Sequence, residues 1–186
     1  MATKKSESMI SYAAFLRGIG PGDPKKSNDS LRKLFESCGF SNVRSFISSG
    51  NILFESKETD VQKLERKVEK AFRDTHGIEV ATFIRSKGDL ELFLSKTPFG
   101  KRTHSPQSYL IVTFLKEKQD AKALAPLLKD PKSGLLSFDA ELNAVCSVVN
   151  TSGAKTPDFM VKLEKLLSKE ITTRTLNTVE RVTKRL

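Results

Sequence analysis

Cysteine and histidine are scarce in this sequence, which holds two of each among 186 residues. Cys38 falls in an apolar helical pattern and Cys146 inside a strand pattern far along the chain, so there is neither a disulfide framework nor a zinc knuckle, and both read as buried thiols. A metal site needs three or four convergent ligands, and no His/Cys/Asp cluster has suitable spacing, so neither a metal nor a cofactor is expected. His76 precedes a helix-ending glycine and His104 lies in the polar Lys101-Arg-Thr-His-Ser105 stretch. With no recognisable partner, neither histidine completes an acid-base or nucleophilic motif. Apolar runs of about 18 residues or more are also missing, and Met1–Ser8 is short, polar and unlike a signal peptide. The expectation is a soluble, cytoplasmic protein with no membrane partner and a frayed start before Met9; its oligomeric state is not legible.

Positive charge is what the chain has in excess. Thirty-two basic residues against 22 acidic ones give a net charge of +10, which favours contact with a small anion or with nucleic acid, since positive potential attracts phosphate and releases its counterions. Many lysines (Lys63, Lys67, Lys70; Lys116, Lys118, Lys122; Lys162, Lys165, Lys169) are spread along helical patterns, often beside glutamates, as on ordinary solvated faces. At 38% hydrophobic and 29% charged the composition is globular and sufficient to bury a core.

Met9–Leu16 reads as a central strand, apolar on both faces, that enters a glycine-rich loop. Leu31, Leu34, Phe35 and Cys38 recur at helical spacing, with Ser27 or Asn28 as cap and Gly39 at the left-handed end. Val43–Ser48 and Ile52–Glu55 read as strands joined through Gly50-Asn51, a dipeptide suited to a tight hairpin. Val61, Leu64, Val68, Ala71 and Phe72 mark a second helix ending near Gly77, and Glu79–Ile84 a fourth strand. This β-α-β-β-α-β order is the split βαβ, or ferredoxin-like, unit.

Ser86 and Asp89 resemble a capping box that starts a short helix with Leu90, Phe93 and Leu94, after which Pro98–Gln107 breaks the pattern. The scheme then repeats: strand Tyr109–Leu115, helix Asp120–Leu128, strands Leu135–Phe138 and Ala144–Val149. A helix with Pro157 in its first turn and Phe159, Leu163, Leu166 and Leu167 on one face follows, then a strand near Ile171–Thr173 and a terminal helix from Thr175. Ile84-Arg85-Ser86 and Thr173-Arg174-Thr175 each set an arginine and a hydroxyl between the last strand and an extra helix. The fold expected is therefore α+β: two ferredoxin-like (βαββαβ, alpha-beta plait) halves in tandem with extra helices, 8–97 and 108–186, with 98–107 as linker, or the same elements in one compact domain.

The residues "YAAFLRGI" (Tyr12–Ile19), "LRKLFESCGFSNVRSFISSGNILFES" (Leu31–Ser56), "TPF" (Thr97–Phe99) and "LEKLLSKEITTRTLNTVERV" near the end resemble the bacterial family catalogued as domain of unknown function 1697. The resemblance spans nearly the whole chain and implies a compact α/β protein with ferredoxin-like elements and no agreed biochemical activity. Two stretches depart from it. Arg17-Gly18-Ile19 leads into Gly20-Pro21-Gly22-Asp23, where the family usually continues with Asn and Val-Gly-Gly; Thr175-Leu176 stand where it usually has Asn-Trp.

The loop Arg17–Lys26 lies between a strand and a helix start, where free N–H groups and the helix dipole receive anions and Lys25 and Lys26 add charge. It lacks the Gly-Lys-Ser/Thr of a Walker A loop and the glycine spacing of a dinucleotide fold, so the competing reading is an exposed turning loop. An RNA-recognition platform fails its own test, because Asn51 and Leu53 occupy the stacking positions and Tyr12 and Phe15 point to opposite faces. The candidate anion-binding residues are Arg17, Gly18, Gly20, Lys25, Lys26, Ser49, Asn51, Arg174 and Asn177. Their structural alternative is that the arginines tie loops through carbonyls and Asn51 closes a turn. The functional expectation is non-enzymatic binding of an anionic ligand or nucleic acid; the alternatives are a small enzyme acting on a phosphate-bearing substrate and a protein-interaction module.

Overall fold

The computed structural model describes residues 8–20, 22–47, 50–130, 133–150, 163–165 and 170–186. The chain divides into two compact units, Met1–Lys87 with Arg185–Leu186, and Gly88–Lys184. The first runs β1 (Ile10–Leu16), α1 (Asn28–Ser37), β2 (Ser41–Ser45), β3 (Asn51–Ser56), α2 (Val61–His76) and β4 (Thr82–Ser86). Its four strands lie in the order β2-β3-β1-β4 with every pairing antiparallel.

Each helix of this unit starts and stops where its local chemistry dictates. The Ser27 hydroxyl accepts the Ser30 N–H at the start of α1, and Gly39, at φ 77°, turns the chain after it. Asp60 accepts the Lys63 N–H to open α2, and Gly77, at φ 65°, returns its own N–H to the Arg73 carbonyl. Leu31, Leu34 and Phe35 of α1 and Leu64, Val68 and Phe72 of α2 are buried against one sheet face, where Tyr12 and Phe54 stack at 5.5 Å and Phe40 and Phe54 at 4.4 Å. Because side chains alternate along a strand, Ala13, Phe15, Leu53 and Phe83 occupy the opposite face, and they too are buried.

Strand limits shift from the sequence expectation, first in β2, which runs Ser41–Ser45 rather than Val43–Ser48. The fourth strand begins at Thr82 rather than Glu79, because its partner β1 ends at Leu16 and the Arg17 N–H goes to the Ala81 carbonyl, which closes the ladder. Asn51 is not a turn residue. It opens β3, pairs with Phe15 and is buried, and its carbonyl accepts the Phe46 N–H at 2.9 Å.

The second unit contains α3 (Lys87–Ser95, from its second residue), β5 (Ser108–Leu115), α4 (Ala121–Lys129), β6 (Leu135–Asp139), β7 (Ala144–Asn150), helical residues 163–165, β8 (Ile171–Thr175) and α5 (Leu176–Thr183). Its sheet order, β6-β7-β5-β8, repeats that of the first unit element for element. The fold is thus α+β, two four-stranded antiparallel sheets built on the same ferredoxin-like plan. Leu115, Leu124, Leu135, Val145, Leu163 and Ile171 form the second core. The expected helix around Pro157, Phe159, Leu166 and Leu167 lies outside the described residues apart from 163–165. Asp120 caps α4 through the Lys122 N–H, and Thr175 caps α5 through that of Thr178.

Candidate functional site

The β1–α1 loop is shaped by its glycines and by two lysines that bend back onto the chain. Gly18 sits at φ 71° and Gly22 at φ 96°, whereas Gly20 has no left-handed requirement. Pro24–Lys26 forms a single 3-10 turn opened by the Asp23 side chain, which accepts the Lys25 N–H. The Lys26 ammonium donates to the Gly18 carbonyl at 3.0 Å and lies 3.9 Å from Asp23. The Lys25 ammonium donates to the carbonyl of His76 at 3.0 Å, so it neutralises the negative C-terminal end of α2. The His76 ring in turn meets the Ser30 hydroxyl through Nε2 at 3.2 Å, which joins the start of α1 to the end of α2.

Gly50 binds this loop to the β2–β3 connection. Its carbonyl accepts the Leu16 N–H at 2.8 Å, and at φ 74° an added Cβ would sit 2.7 Å from Ile19 Cγ1 and 3.0 Å from Leu16 Cβ. Glycine is therefore required twice over, for its backbone angle and for the approach of Ile19. Ile47, a β-branched residue held at φ 56°, adds strain to the same connection. Ser49 lies outside the described residues. Of the expected site residues, Arg17, Gly18, Gly20, Lys25, Lys26 and Asn51 belong to the first unit, and Arg174 and Asn177 to the second.

Arg174 occupies β8 opposite Val112, and Arg85 occupies β4 opposite Ala13, the same register in the two sheets. Both use Nη1 in the same way: Arg85 donates to the Ile84 carbonyl and Arg174 to the Thr173 carbonyl, each at 2.7 Å, and Arg174 also donates to the Thr172 hydroxyl at 3.1 Å. Burial draws the Arg174 guanidinium down to about 10, which still leaves it charged at neutral pH. Asn177, two residues after the Thr175 cap, is exposed.

Sequence reasoning missed Glu65. This buried carboxylate on α2 accepts the Ile84 N–H at 2.8 Å and lies 3.6 Å from Arg85 Nη1, while Glu69, one turn on, accepts the Thr82 N–H at 2.9 Å. β4 is an edge strand, and two glutamates at i and i+4 cover alternate free N–H groups of that edge. The spacing was visible; that a glutamate would turn into the sheet was not.

The histidines have partners after all. His104 Nδ1 accepts the Leu110 N–H at 3.2 Å and its ring stacks on Tyr109 at 5.1 Å. Such a histidine orders the turn that precedes β5. Among the described residues no group of three or more His, Cys, Asp or Glu side chains is placed to hold a metal ion, and no helix is long and apolar enough to cross a membrane.

A cavity of about 530 Å³ opens in the second unit between α3, α5 and the turn that follows α3. Thr97, Pro98 and Phe99, the "TPF" of the sequence, form one wall, and Leu176 and Glu180 part of the other. Among the described residues, none of those expected to bind an anion lines it.

An α+β chain with this repeated plan and these motifs belongs to the family described as "Protein of unknown function (DUF1697)", which matches residues 9–141. A solved structure, the conserved bacterial protein SP0830 from Streptococcus pneumoniae, is similar in fold, with a TM-score of 0.73 at 23% identity over 95% of this chain and 98% of that one. No curated protein matches the chain.

Proposed function

We propose that the protein is a basic, non-enzymatic anion-binding protein of the cytoplasm, working without metal or cofactor, whose β1–α1 loop engages phosphate, with nucleic acid as the partner its net charge of +10 favours. The observation that carries this reading is the fixing of Lys25 and Lys26. Each ammonium spends one proton on a backbone carbonyl at 3.0 Å, and an ammonium has three to donate, so two cations are held in place at the start of α1 with donors left over. Side chains already ordered lose less freedom on meeting a ligand. The exposed glycines Gly18 and Gly20 let a phosphate approach the backbone closely.

Arg174 and Arg85 contribute differently, since their shared bond to the preceding carbonyl supports a role in the edge strands rather than in the ligand. The test is fluorescence anisotropy with mixed-sequence single- and double-stranded oligonucleotides, titrated with salt, with inorganic phosphate and nucleotides as competitors. Binding at low salt that weakens linearly in log–log form as salt rises is expected. Absence of binding at low salt, or binding indifferent to salt, overturns the reading.

A further inference from the structure

The cavity of the second unit has a chemistry of its own. Its size, about 530 Å³, lies in the range of small-molecule sites, roughly 300–1,000 Å³. Leu94, Pro98, Phe99 and Leu176 give it an apolar body. Charges of both signs line it: Glu91 and Glu180 on the helices, with Arg102 and Lys184. Two carboxylates oppose a phosphate, so this is not a second copy of the anion site.

Glu180 is half-buried, and its carboxylate makes no ion pair or hydrogen bond with a described residue, although Lys184 follows at the i+4 spacing where such pairs commonly form. The Lys184 ammonium likewise has no partner among the described residues. A partly buried carboxylate is costly until a cation meets it. The wall opposite is already set: the Gly100 N–H bonds the Thr97 carbonyl at 2.8 Å, and Arg102 bonds the Phe99 carbonyl through its N–H at 3.2 Å and Nη1 at 3.4 Å. Thr97 is held at φ 46°, an angle a β-branched residue adopts only under constraint, and such strain gathers where a surface is shaped for a ligand.

We propose that this cavity binds a small zwitterion with an apolar side chain, in the chemical class of apolar amino acids and dipeptides, its ammonium on Glu180 and its carboxylate on Arg102. The proposal is independent of the anion-binding reading and is tested at about 0.5 M salt, where phosphate contacts are screened. Probes are L-leucine, L-phenylalanine and Leu-Leu, each beside its N-acetyl and methyl-ester forms, measured with the full chain by thermal shift and calorimetry. The expected result is stabilisation by at least one free zwitterion, at least tenfold weaker binding of both its blocked forms, and a comparable loss in Glu180→Gln and in Arg102→Ala with the unliganded melting temperature retained. Overturning results are no stabilisation by any probe, equal binding of the N-acetyl form, or unchanged affinity in both variants.

Discussion

The Glu65 carboxylate accepts the backbone N–H of Ile84 at 2.8 Å while Arg85, the next residue of the edge strand, lies 3.6 Å away. One buried side chain thus closes a sheet edge and compensates the charge that strand carries. Glu65→Ala leaves an N–H and a guanidinium short of their partner and is expected to lower stability by about 3 kcal/mol; Glu65→Gln keeps an acceptor and loses about half of that. Urea denaturation of the two variants checks the order, and equal losses would count against the hydrogen bond.

Gly50→Ala meets both a left-handed backbone angle and the Ile19 side chain at 2.7 Å. The expected cost is more than about 2 kcal/mol, by the same denaturation assay. Gly20→Ala, with nothing within 4 Å of its added carbon and no left-handed angle, is expected to be nearly neutral.

Burial raises the Cys146 thiol to about 11 from 9.0, against a lowering hydrogen bond with Ser137. A group whose folded value is raised adds stability that is whole below the unfolded value and disappears as pH rises through the folded one. Stability is therefore expected to fall between about pH 9 and 11 in the wild type and less in Cys146→Ala. Iodoacetamide at pH 8 should leave Cys146 unlabelled in the folded chain and label it in urea.

Thr113 and Ser147 each bury a hydroxyl that has no hydrogen-bond partner among the described residues. Thr113→Val removes the orphan at nearly constant volume and is expected to stabilise the chain by up to about 1 kcal/mol. A loss of more than about 1 kcal/mol would show that the hydroxyl is satisfied in solution.

The fold was legible because its punctuation is local. Ser27, Asp60, Gly39 and Gly77 cap and end helices through contacts within a few residues, and periodicity then places Leu31, Phe35, Leu64 and Phe72 on the core faces. The details that were misread depend on distant residues. Gly50-Asn51 carries a hairpin signal, yet Asn51 enters the sheet because it pairs with Phe15 of β1, far earlier in the chain. Lys25 looked free until α2 brought the His76 carbonyl to it, and the cavity joins Thr97–Phe99 to α5 across most of the second unit's sequence. Charge and spacing do not record such pairings.

The central claim, that Lys25 and Lys26 present phosphate-binding cations, is tested most directly by the salt slope of oligonucleotide binding in Lys25→Ala with Lys26→Ala. Removing two phosphate contacts is expected to make the slope of log K against log salt shallower by about 1.4 on single strands and about 1.8 on duplex. A double variant that folds as the wild type does and binds with an unchanged slope would contradict the account.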